Sequence, residues 1–314
     1  MPHSRGGWVQ LAHSSATMDA VTARAGEWRT LGALASVLDA AEARRLTGAS
    51  GYVGGWVDRR GGVVEPLAYV LELAEAAGRW GVHIAQHSPA VSIGREAGRW
   101  RVSTGPGEEV RARFVLVATN GGAAALVPGL AASLVDMTML HVATEPLNPL
   151  LEGAILPRGV ALSDSRRVQR TFRRTADGRL IASMRGGLRA PRGEEDWAGV
   201  VRALRETFPV VAKASIAGRW CSRHAMTFDH LPHLHEPVSG LIVAAGCQAR
   251  GIGVQTSLGQ YLADAILGGD RGVVPLPFTP IRPARAFARS RRALGLTLAW
   301  YRFLDRLEQL RSAA

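Results

Sequence analysis

The sequence is poor in cysteine, with only Cys221 and Cys247 in 314 residues. Two cysteines cannot form a disulfide framework, and their mostly apolar neighbours suit reduced thiols, so we expect a cytoplasmic protein. Long apolar runs are missing as well, because no stretch reaches the ~18 residues that a membrane-spanning helix needs. The first residues also lack the continuous apolar core of a signal peptide. The sequence therefore predicts a soluble chain without a transmembrane segment.

Lysine is nearly absent, since Lys213 is the single lysine among 38 basic residues. The formal net charge of +12 would ordinarily point to nucleic acid or an anionic membrane. The arginines are scattered singly or in short groups, however, and no aromatic stacking platform accompanies them. We therefore expect no nucleic-acid partner. P-loop, H-E-x-x-H and Ser/His/Asp patterns are absent too, which leaves kinase and hydrolase functions without support.

The composition that remains is ordinary for a globular protein, with 47% hydrophobic and 20% charged residues. Near the start, the pattern predicts a strand at 7–13, a helix at 16–31 and a helix with Asp39 as N-cap and Glu42 as its capping-box partner. Further along, the pattern predicts a helix at 65–80 and four short strands at 83–85, 90–93, 100–104 and 110–112.

The segments that follow differ in their apolar pattern. Residues 114–118 are nearly all apolar, which is typical of a strand buried on both faces of a mostly parallel sheet. Alternating strands at 138–143, 167–173 and 180–184 predict an antiparallel region. The last segment, 290–311, predicts an amphipathic helix with the stripe Leu296, Trp300, Phe303, Leu307 and Leu310. For this stripe, docking on the protein's own core is favoured over contact with a membrane surface.

A glycine-rich turn, residues 246–253, lies between an apolar run at 241–245 and a helical pattern at 254–267. The first turn of a helix has unpaired N–H groups and the positive end of the helix dipole, so glycines there let a ligand approach the backbone. Strand, turn and helix together predict a cradle for an anionic or dipolar ligand. The early G-x-G-x-x-G turn that usually holds the pyrophosphate of a dinucleotide is found nowhere in the sequence.

Several blocks between residues 7 and 307 resemble, in order and spacing, the D-amino-acid-oxidase-like superfamily of FAD-dependent oxidoreductases. The resemblance is greatest to its gamma-glutamylputrescine oxidase-like branch. The blocks are F-V-L-V-A-T-N-G at 114–121, V-A-T-E-P-L at 142–147, L-S-D-S-R-R-V at 162–168, T-F-D-H-L-P-H at 227–233, and residues 246–259. The resemblance implies α/β plus α+β architecture: an incomplete Rossmann-like FAD-binding domain, its first βαβ unit missing, and an antiparallel-sheet substrate domain.

The resemblance also implies a division of the chain. Residues 1–64 begin the substrate domain, 65–130 are the middle of the FAD domain, and 131–235 are the antiparallel substrate domain. Residues 236–270 are the last FAD-domain strand and helix, and 271–314 are an extended segment and the closing helix.

The implied chemistry is hydride transfer from the carbon that bears an amine to the flavin N5, followed by hydrolysis of the imine. FAD is the implied cofactor and a small amine or amino acid the implied substrate, with no catalytic side chain assigned. Arg170 and Phe172 are implied weakly on the substrate side. The implied cofactor-binding residues are Val91, Ala118, Thr119, Asn120, Gly121, Gly246, Arg250, Gly251, Ile252 and Gly253.

The missing βαβ unit leads us to expect an N-terminally truncated member that binds FAD poorly or not at all as encoded. Three explanations stand, in this order: a mis-assigned start or gene fragment, a split protein whose first unit comes from a partner chain, and a repurposed remnant. A scaffold subunit without catalytic activity is the alternative function.

Two further features have competing interpretations. His230, His233 and His235 alternate but lack a carboxylate or thiol at familiar spacing, so no metal site is expected. Cys247 beside the cradle is interpreted as a small apolar filler, with a redox or flavin-attachment role as the alternative.

Overall fold

The computed structural model describes residues 2–151, 153–187, 189–247, 251–283 and 291–313. The chain forms two compact units. Unit 1 comprises Met1–Ala77, Thr138–Ser222 and Gly295–Ala314, and unit 2 comprises Gly78–Met137 and Arg223–Leu294. The predicted domain boundaries at residues 64, 130, 235 and 270 stay predictions.

The strands are short and alternate with a few helices. The strands are β1 His3–Ser4, β2 Trp8–Ala12, β3 Ala35–Asp39, β4 Gly54–Asp58, β5 Val63–Val64, β6 Ser92–Glu96, β7 Arg99–Gly105, β8 Glu108–Ala112, β9 Val115–Val117, β10 Val135–Thr144, β11 Ala161–Asp164, β12 Arg170–Arg174, β13 Leu180–Arg185, β14 Ile216–Met226, β15 His233–Val238 and β16 Leu241–Ala245. The helices are α1 Ser15–Thr30, α2 Ala40–Thr47, α3 Pro66–Arg79, α4 Leu130–Ser133, α5 Ala198–Thr207, α6 Gly251–Gly268 and α7 Arg291–Ala313.

The main sheet of unit 1 has eight strands in the order β14, β10, β13, β12, β11, β2, β4, β3. From β10 to β3 the neighbouring strands are antiparallel, except for the parallel pair β11 and β2. The predicted antiparallel region is therefore confirmed, and the strand and capped helix predicted before it also form. Asp39 Oδ1 accepts a hydrogen bond from the Glu42 amide at 2.7 Å, and Glu42 Oε2 accepts one from the Asp39 amide at 2.9 Å.

One face of this sheet, the first face, is apolar. Paired residues form a cross-strand row in which every side chain is at most 3% exposed: Val142, Ala182, Phe172, Leu162, Val9 and Val57. Helices α2 and α5 pack on this face through residues such as Ala43 and Leu204. Burial of each large side chain stabilises the fold by about 1.5–3 kcal/mol. The first face therefore holds the main core of unit 1.

The opposite or second face packs against a helix at one end. Helix α1 packs there over β2, β4 and β3, where Val21 and Ala25 contact Trp56 and Ala12. Over β11, β12, β13 and β10 this face also holds buried side chains, among them Ser163, Ile181 and Ser183. This part is called the β10–β13 half of the second face below.

Unit 2 contains two three-stranded sheets, β15-β16-β9 and the meander β6-β7-β8. Strands β16 and β9 are parallel, as the buried-strand patterns predict, and β15 is antiparallel to β16. The meander has three strands rather than four, because residues 83–85 form no strand.

The expected burial of residues 114–118 on both faces is wrong, since Phe114 and Leu116 are 39% and 40% exposed. Strand β9 pairs with β16 on one side, and no described strand pairs with its other edge. Helix α3 likewise forms as predicted but buries none of its residues. An apolar pattern therefore predicts a strand or a helix, but it does not show whether another element packs against the apolar side chains.

Helix α7 docks on unit 1, but through a different side from the predicted stripe. Leu298 and Asp305 are buried, whereas Leu296, Trp300 and Phe303 are more than half exposed. The docked side includes the buried carboxylate of Asp305, which an apolar stripe could not predict. None of the described helices combines the length and the hydropathy that crossing a bilayer requires.

Candidate functional site

The carboxyl ends of β9 and β16 lie at the same edge of the unit 2 sheet because the two strands run parallel. Residues 118–122 leave this edge after β9, and Gly246 and Cys247 leave it after β16. Helix α6 begins at Gly251, a few residues beyond. Ligands of open α/β sheets bind at such carboxyl edges, next to helix N-termini. This edge is called the cradle.

The two turns of the cradle are tied together by one side chain. The Gly246 amide donates to Asn120 Oδ1 at 3.1 Å. Asn120 has φ 49° and Gly246 has φ 78°, both in the left-handed region that asparagine and glycine tolerate best. The residue types at these positions thus follow from the backbone that the turns need.

The glycines of α6 leave space in front of the helix N-terminus. A Cβ placed on Gly253 would meet no described atom within 4 Å, and one on Gly251 would meet only Cys247 and Gln255, at 3.9 Å. No acidic residue lies in the first turn. The unpaired amides of that turn therefore carry a positive potential, which fits a polar, electron-rich edge of a flavin.

The structure brings most of the predicted cofactor-binding residues to this cradle. Ala118, Thr119, Asn120 and Gly121 follow β9, Gly246 follows β16, and Gly251, Ile252 and Gly253 begin α6. Arg250 lies outside the described residues. Val91 stands apart, at the start of the meander, where its amide donates to Ser103 O at 2.8 Å. The cofactor-binding roles of these residues remain predictions. The structure places all of them at the cradle except Val91 and Arg250.

Sequence reasoning missed a neighbour of Cys247. The Cys247 Sγ lies 3.7 Å from Nδ1 of His224, which lies near the end of β14. Burial lowers the pKa of the His224 imidazole, which therefore stays neutral near pH 7. Cys247 is a free thiol, as is Cys221. No sequence spacing signals this pair, because 23 residues separate its members.

In unit 1, the β10–β13 half of the second face carries polar side chains in a second cross-strand row. His141, Ser183, Thr171 and Ser163 occupy successive paired positions on β10, β13, β12 and β11. His141 Nδ1 lies 2.7 Å from Ser183 Oγ, and its Nε2 lies 2.8 Å from Ser222 Oγ. The His141 ring also stacks on Trp220, with centroids 5.1 Å apart and planes 10° apart. The row is therefore polar, and hydrogen bonds and a ring stack fix the position of His141 within it.

Two arginines flank this row. Arg173 pairs with Ile181 on one side of it, and Arg185 pairs with Met139 on the other. Burial lowers the pKa of both guanidinium groups, opposed by Glu65 for Arg173 and by Tyr301 for Arg185. Arg173 Nε and Ser163 Oγ are buried without a hydrogen-bond partner among the described residues.

The substrate-side residues implied by the resemblance lie on the first face instead. Phe172 is buried against Phe208, with ring centroids 5.3 Å apart, and Arg170 pairs with Glu206 at 3.0 Å. Because side chains alternate along a strand, Thr171 and Arg173 face the other way. A substrate role for Arg170 and Phe172 stays a prediction.

A third group of titratable side chains docks α7. His13, Asp305 and Glu308 place their ligand atoms within 4.8 Å of one another, a grouping with metal-ligand chemistry. Arg167 donates to Asp305 Oδ1 at 3.1 Å and to Glu308 Oε1 at 2.7 Å. The amides of Arg167 and Val168 also donate to Asp305. Both carboxylates are thus engaged by donors of unit 1, and the cluster acts as an ion-paired anchor.

A parallel strand pair that leads to a glycine-lined helix and a separate antiparallel sheet are typical of two-domain flavoproteins. Residues 1–265 match the family model described as "DAO: FAD dependent oxidoreductase". The chain belongs to this family of FAD-dependent oxidoreductases, as the resemblance predicts, and FAD is the cofactor of the family.

The names of individual relatives are consistent with this family. The chain is 29% identical over 272 residues to the probable oxidoreductase OrdL of Rhizobium meliloti (strain 1021), covering 86% of this chain and 63% of that protein. It is 26% identical over 277 residues to the gamma-glutamylputrescine oxidoreductase of Escherichia coli (strain K12), covering 86% and 64%. It is 27% identical over 255 residues to the sarcosine oxidase subunit beta of Rhizobium meliloti (strain 1021), covering 77% and 60%. The chain thus spans less than two thirds of the length of each of these relatives.

A solved structure shows the same fold. The glycine oxidase from Geobacillus kaustophilus superposes with a TM-score of 0.75 at 20% identity, covering 89% of this chain and 74% of that one. The combination of mixed and antiparallel sheets expected from the sequence is therefore confirmed as the fold of this family.

Proposed function

We propose that the chain is part of an FAD-dependent oxidoreductase that acts on the CH–NH group of an amine or amino acid. The observation that carries the proposal is the cradle, where the carboxyl ends of parallel β9 and β16 meet the glycine-lined N-terminus of α6. Family membership supplies the cofactor. Two relatives are named for gamma-glutamylputrescine and sarcosine, both of which contain a CH–NH group.

The residues of the cradle fit the flavin end of FAD, but they do not include a turn for its pyrophosphate. The turn after β9, the turn after β16 and the first residues of α6 would hold the flavin end, with Asn120 fixing the two turns against each other. The amides of Gly251, Ile252 and Gly253 would stabilise negative charge on the ring by their dipoles. No G-x-G-x-x-G turn is available in the sequence for the pyrophosphate. When bound, FAD supplies the hydride acceptor.

The test is reconstitution. The purified chain is titrated with FAD, followed by flavin fluorescence, and then mixed with amines under anaerobic conditions while flavin absorbance is recorded. We expect FAD uptake, by the chain alone or together with its genomic neighbours, and bleaching of the bound flavin by at least one amine or amino acid. A chain that takes up no FAD at millimolar concentration, alone or with its genomic neighbours, contradicts the proposal. The expected cytoplasmic location is part of this proposal and is tested by cell fractionation.

A second function, a subunit that binds a partner chain, is favoured by the outer edge of β9. An uncovered apolar strand edge is a template for a further strand, and Phe114 and Leu116 are exposed there. The occupant that we propose is a chain supplying a strand and a G-x-G-x-x-G turn. One relative is itself named as a subunit.

The experiment is co-expression of this chain with the products of adjacent genes, followed by native mass spectrometry and amide hydrogen exchange. A stoichiometric complex that slows exchange at 114–118 and brings FAD supports the partner. A stable monomer that binds FAD by itself contradicts it. Sequencing the DNA upstream of the first codon separates a split protein from a longer reading frame.

A further inference from the structure

We propose that helix α7 attaches the protein to an anionic lipid surface, with the helix lying flat in the plane of the membrane. The proposal is independent of the proposed amine oxidation. It concerns four side chains of α7, each more than half exposed, which are called the outer stripe: Leu296, Trp300, Phe303 and Leu310. Its starting point is that α7 docks on unit 1 with the side opposite to these apolar residues.

The docked side of α7 is held by polar contacts. Asp305 is buried, and it accepts hydrogen bonds from the backbone amides of Arg167 and Val168. Glu308 pairs with Arg167 at 2.7 Å. Asp305 lies nine residues after Leu296, which places it about 180° from Leu296 around a helix of 3.6 residues per turn. The docking contacts therefore fix α7 with its outer stripe in contact with solvent.

This orientation is unusual, because an amphipathic helix ordinarily buries its apolar side against its own protein. The outer stripe extends from Leu296 to Leu310, over about 21 Å of helix. Its two aromatic rings, Trp300 and Phe303, stack with centroids 5.5 Å apart and planes at 27°. A contiguous exposed apolar patch marks an interaction surface. The outer stripe is therefore a candidate for contact with another molecule.

The charges beside the outer stripe indicate which partner fits it. Arg306 and Arg311 are exposed and lie about 80° and 60° around the helix from Leu296, one on each flank of the stripe. The two carboxylates of α7 lie on the docked side instead, where Arg167 binds both. The accessible side of α7 is thus apolar and aromatic along its middle and cationic along its flanks.

This combination fits an anionic membrane surface. Helices that lie in the membrane interface place Trp, Phe and Leu at the acyl boundary, and flanking arginines reach the phosphates of the headgroups. The outer stripe is too short to cross a hydrocarbon layer of about 30 Å, so α7 lies in the plane. A second copy of the chain fits less well. Two outer stripes packed together would bring the flanking arginines of both helices close to one another, with no carboxylate of α7 between them.

The experiment is flotation of the purified chain with vesicles of phosphatidylcholine, alone or with a third of phosphatidylglycerol, at low and at high salt. Trp300→Ser together with Phe303→Ser removes the aromatic part of the outer stripe. Leu67→Ser together with Leu71→Ser is the matched control, because both leucines are also more than half exposed and lie one turn apart on α3.

A second pair of variants tests the charge. Arg306→Glu together with Arg311→Glu reverses the charge of both flanks. Arg202→Glu together with Arg205→Glu, at two exposed positions of α5, changes the net charge of the chain by the same amount. Trp300→Phe keeps an aromatic ring in the outer stripe and removes only the fluorophore, so it reports the depth of Trp300 through quenching by lipids brominated near the headgroup.

We expect the wild-type chain to bind the anionic vesicles at least tenfold more tightly than the neutral ones, and high salt to weaken this binding. The stripe variant and the Arg306/Arg311 variant should each bind roughly tenfold more weakly, whereas both control variants bind like wild type. Trp300→Phe should keep the binding and lose most of the quenching. All variants should keep the wild-type thermal unfolding midpoint, because the replaced side chains are exposed.

Four results overturn the inference. They are equal binding to anionic and neutral vesicles, losses in the control variants as large as those in the α7 variants, unchanged quenching in Trp300→Phe, and a dimer in analytical ultracentrifugation that the stripe variant dissociates. The last result would mean that a second copy covers the outer stripe. Flavin reduction by amines is measured separately, so failure of the proposed oxidation leaves the vesicle result in place.

Discussion

The side chain of Asn120 accepts a hydrogen bond from the backbone amide of Gly246, at 3.1 Å, across 126 positions of sequence. This contact joins the ends of two parallel strands directly in front of α6. It fixes the spacing of the turns between which the proposed flavin lies, so the cofactor meets a preformed surface.

Replacement of Asn120 by alanine is predicted to loosen the cradle. The buried Gly246 amide loses its acceptor, and alanine is disfavoured at φ 49°. Together these effects cost about 2–3 kcal/mol of stability. Asn120→Asp keeps the acceptor and the tolerated backbone and should lose much less. Urea unfolding and FAD titration check both variants. Equal losses in the two variants would show that the hydrogen bond is unimportant.

Alanine at Gly253 is predicted to separate fold stability from cofactor binding. A methyl group there meets no described atom within 4 Å, so the helix gains up to about 1 kcal/mol while the approach to its amides is blocked. FAD affinity should fall roughly tenfold, which corresponds to about 1.4 kcal/mol. Gly259→Ala is the control, because Gly259 is equally open but lies two turns further along α6. Gly253→Ala protein with unchanged FAD affinity would place the flavin elsewhere.

Removal of the Asp305 carboxylate is predicted to detach α7. Asp305 accepts from the amides of Arg167 and Val168 and from the Arg167 side chain. Asp305→Ala leaves these donors without an acceptor and should cost roughly 2–4 kcal/mol. Limited proteolysis should then cut within 291–313 while the remainder stays resistant. Arg306→Ala, at an exposed position of the same helix, should leave the digestion pattern unchanged.

The sequence was sufficient for elements whose signals are local. The capping box of Asp39 and Glu42 follows from residue type and spacing alone, and so do the glycine-rich turn and the helix after it. That residues 114–118 belong to a parallel pair also follows, because this run is apolar without alternation, whereas its pairing partner β16 could not be predicted. These features depend on short-range geometry that a few residues determine.

The rest depends on neighbours that a local pattern does not contain. Arg170 and Phe172 share the parity of Leu162 and Ala182, and this parity places them on the first face rather than on the second. The alternation of β10, where Leu140 and Val142 are apolar while His141 is not, was the available signal. The docked side of α7 gave no such signal, since its anchor Asp305 is a carboxylate whose partners lie 137 or more residues away.

Stability is predicted to fall as the pH drops below 6.5, through His13. Burial, and next the charge of Arg166, lower its pKa, outweighing Asp164, Asp305 and Glu308. At a pH slightly below 6.5, the unfolded chain therefore binds a proton on His13 that the folded chain does not bind. The stability that depends on neutral His13 is fully present above pH 6.5 and is lost as the pH falls through the lower pKa of the folded state.

His13→Asn tests this dependence, because its amide keeps a donor for Ser165 Oγ, which lies 2.8 Å from His13 Nδ1, but does not titrate. Urea unfolding between pH 7.5 and 5 should show a steeper decline for wild type, by up to about 1.4 kcal/mol for each unit by which the pKa is lowered. Glu308 adds no slope here, since Arg167 lowers its pKa from 4.5 and it stays ionised. His224 and His235, whose pKa values burial also lowers, titrate alike in both proteins and cancel in the difference. Parallel stability curves for the two proteins would mean that His13 is protonated equally easily in the folded and unfolded states.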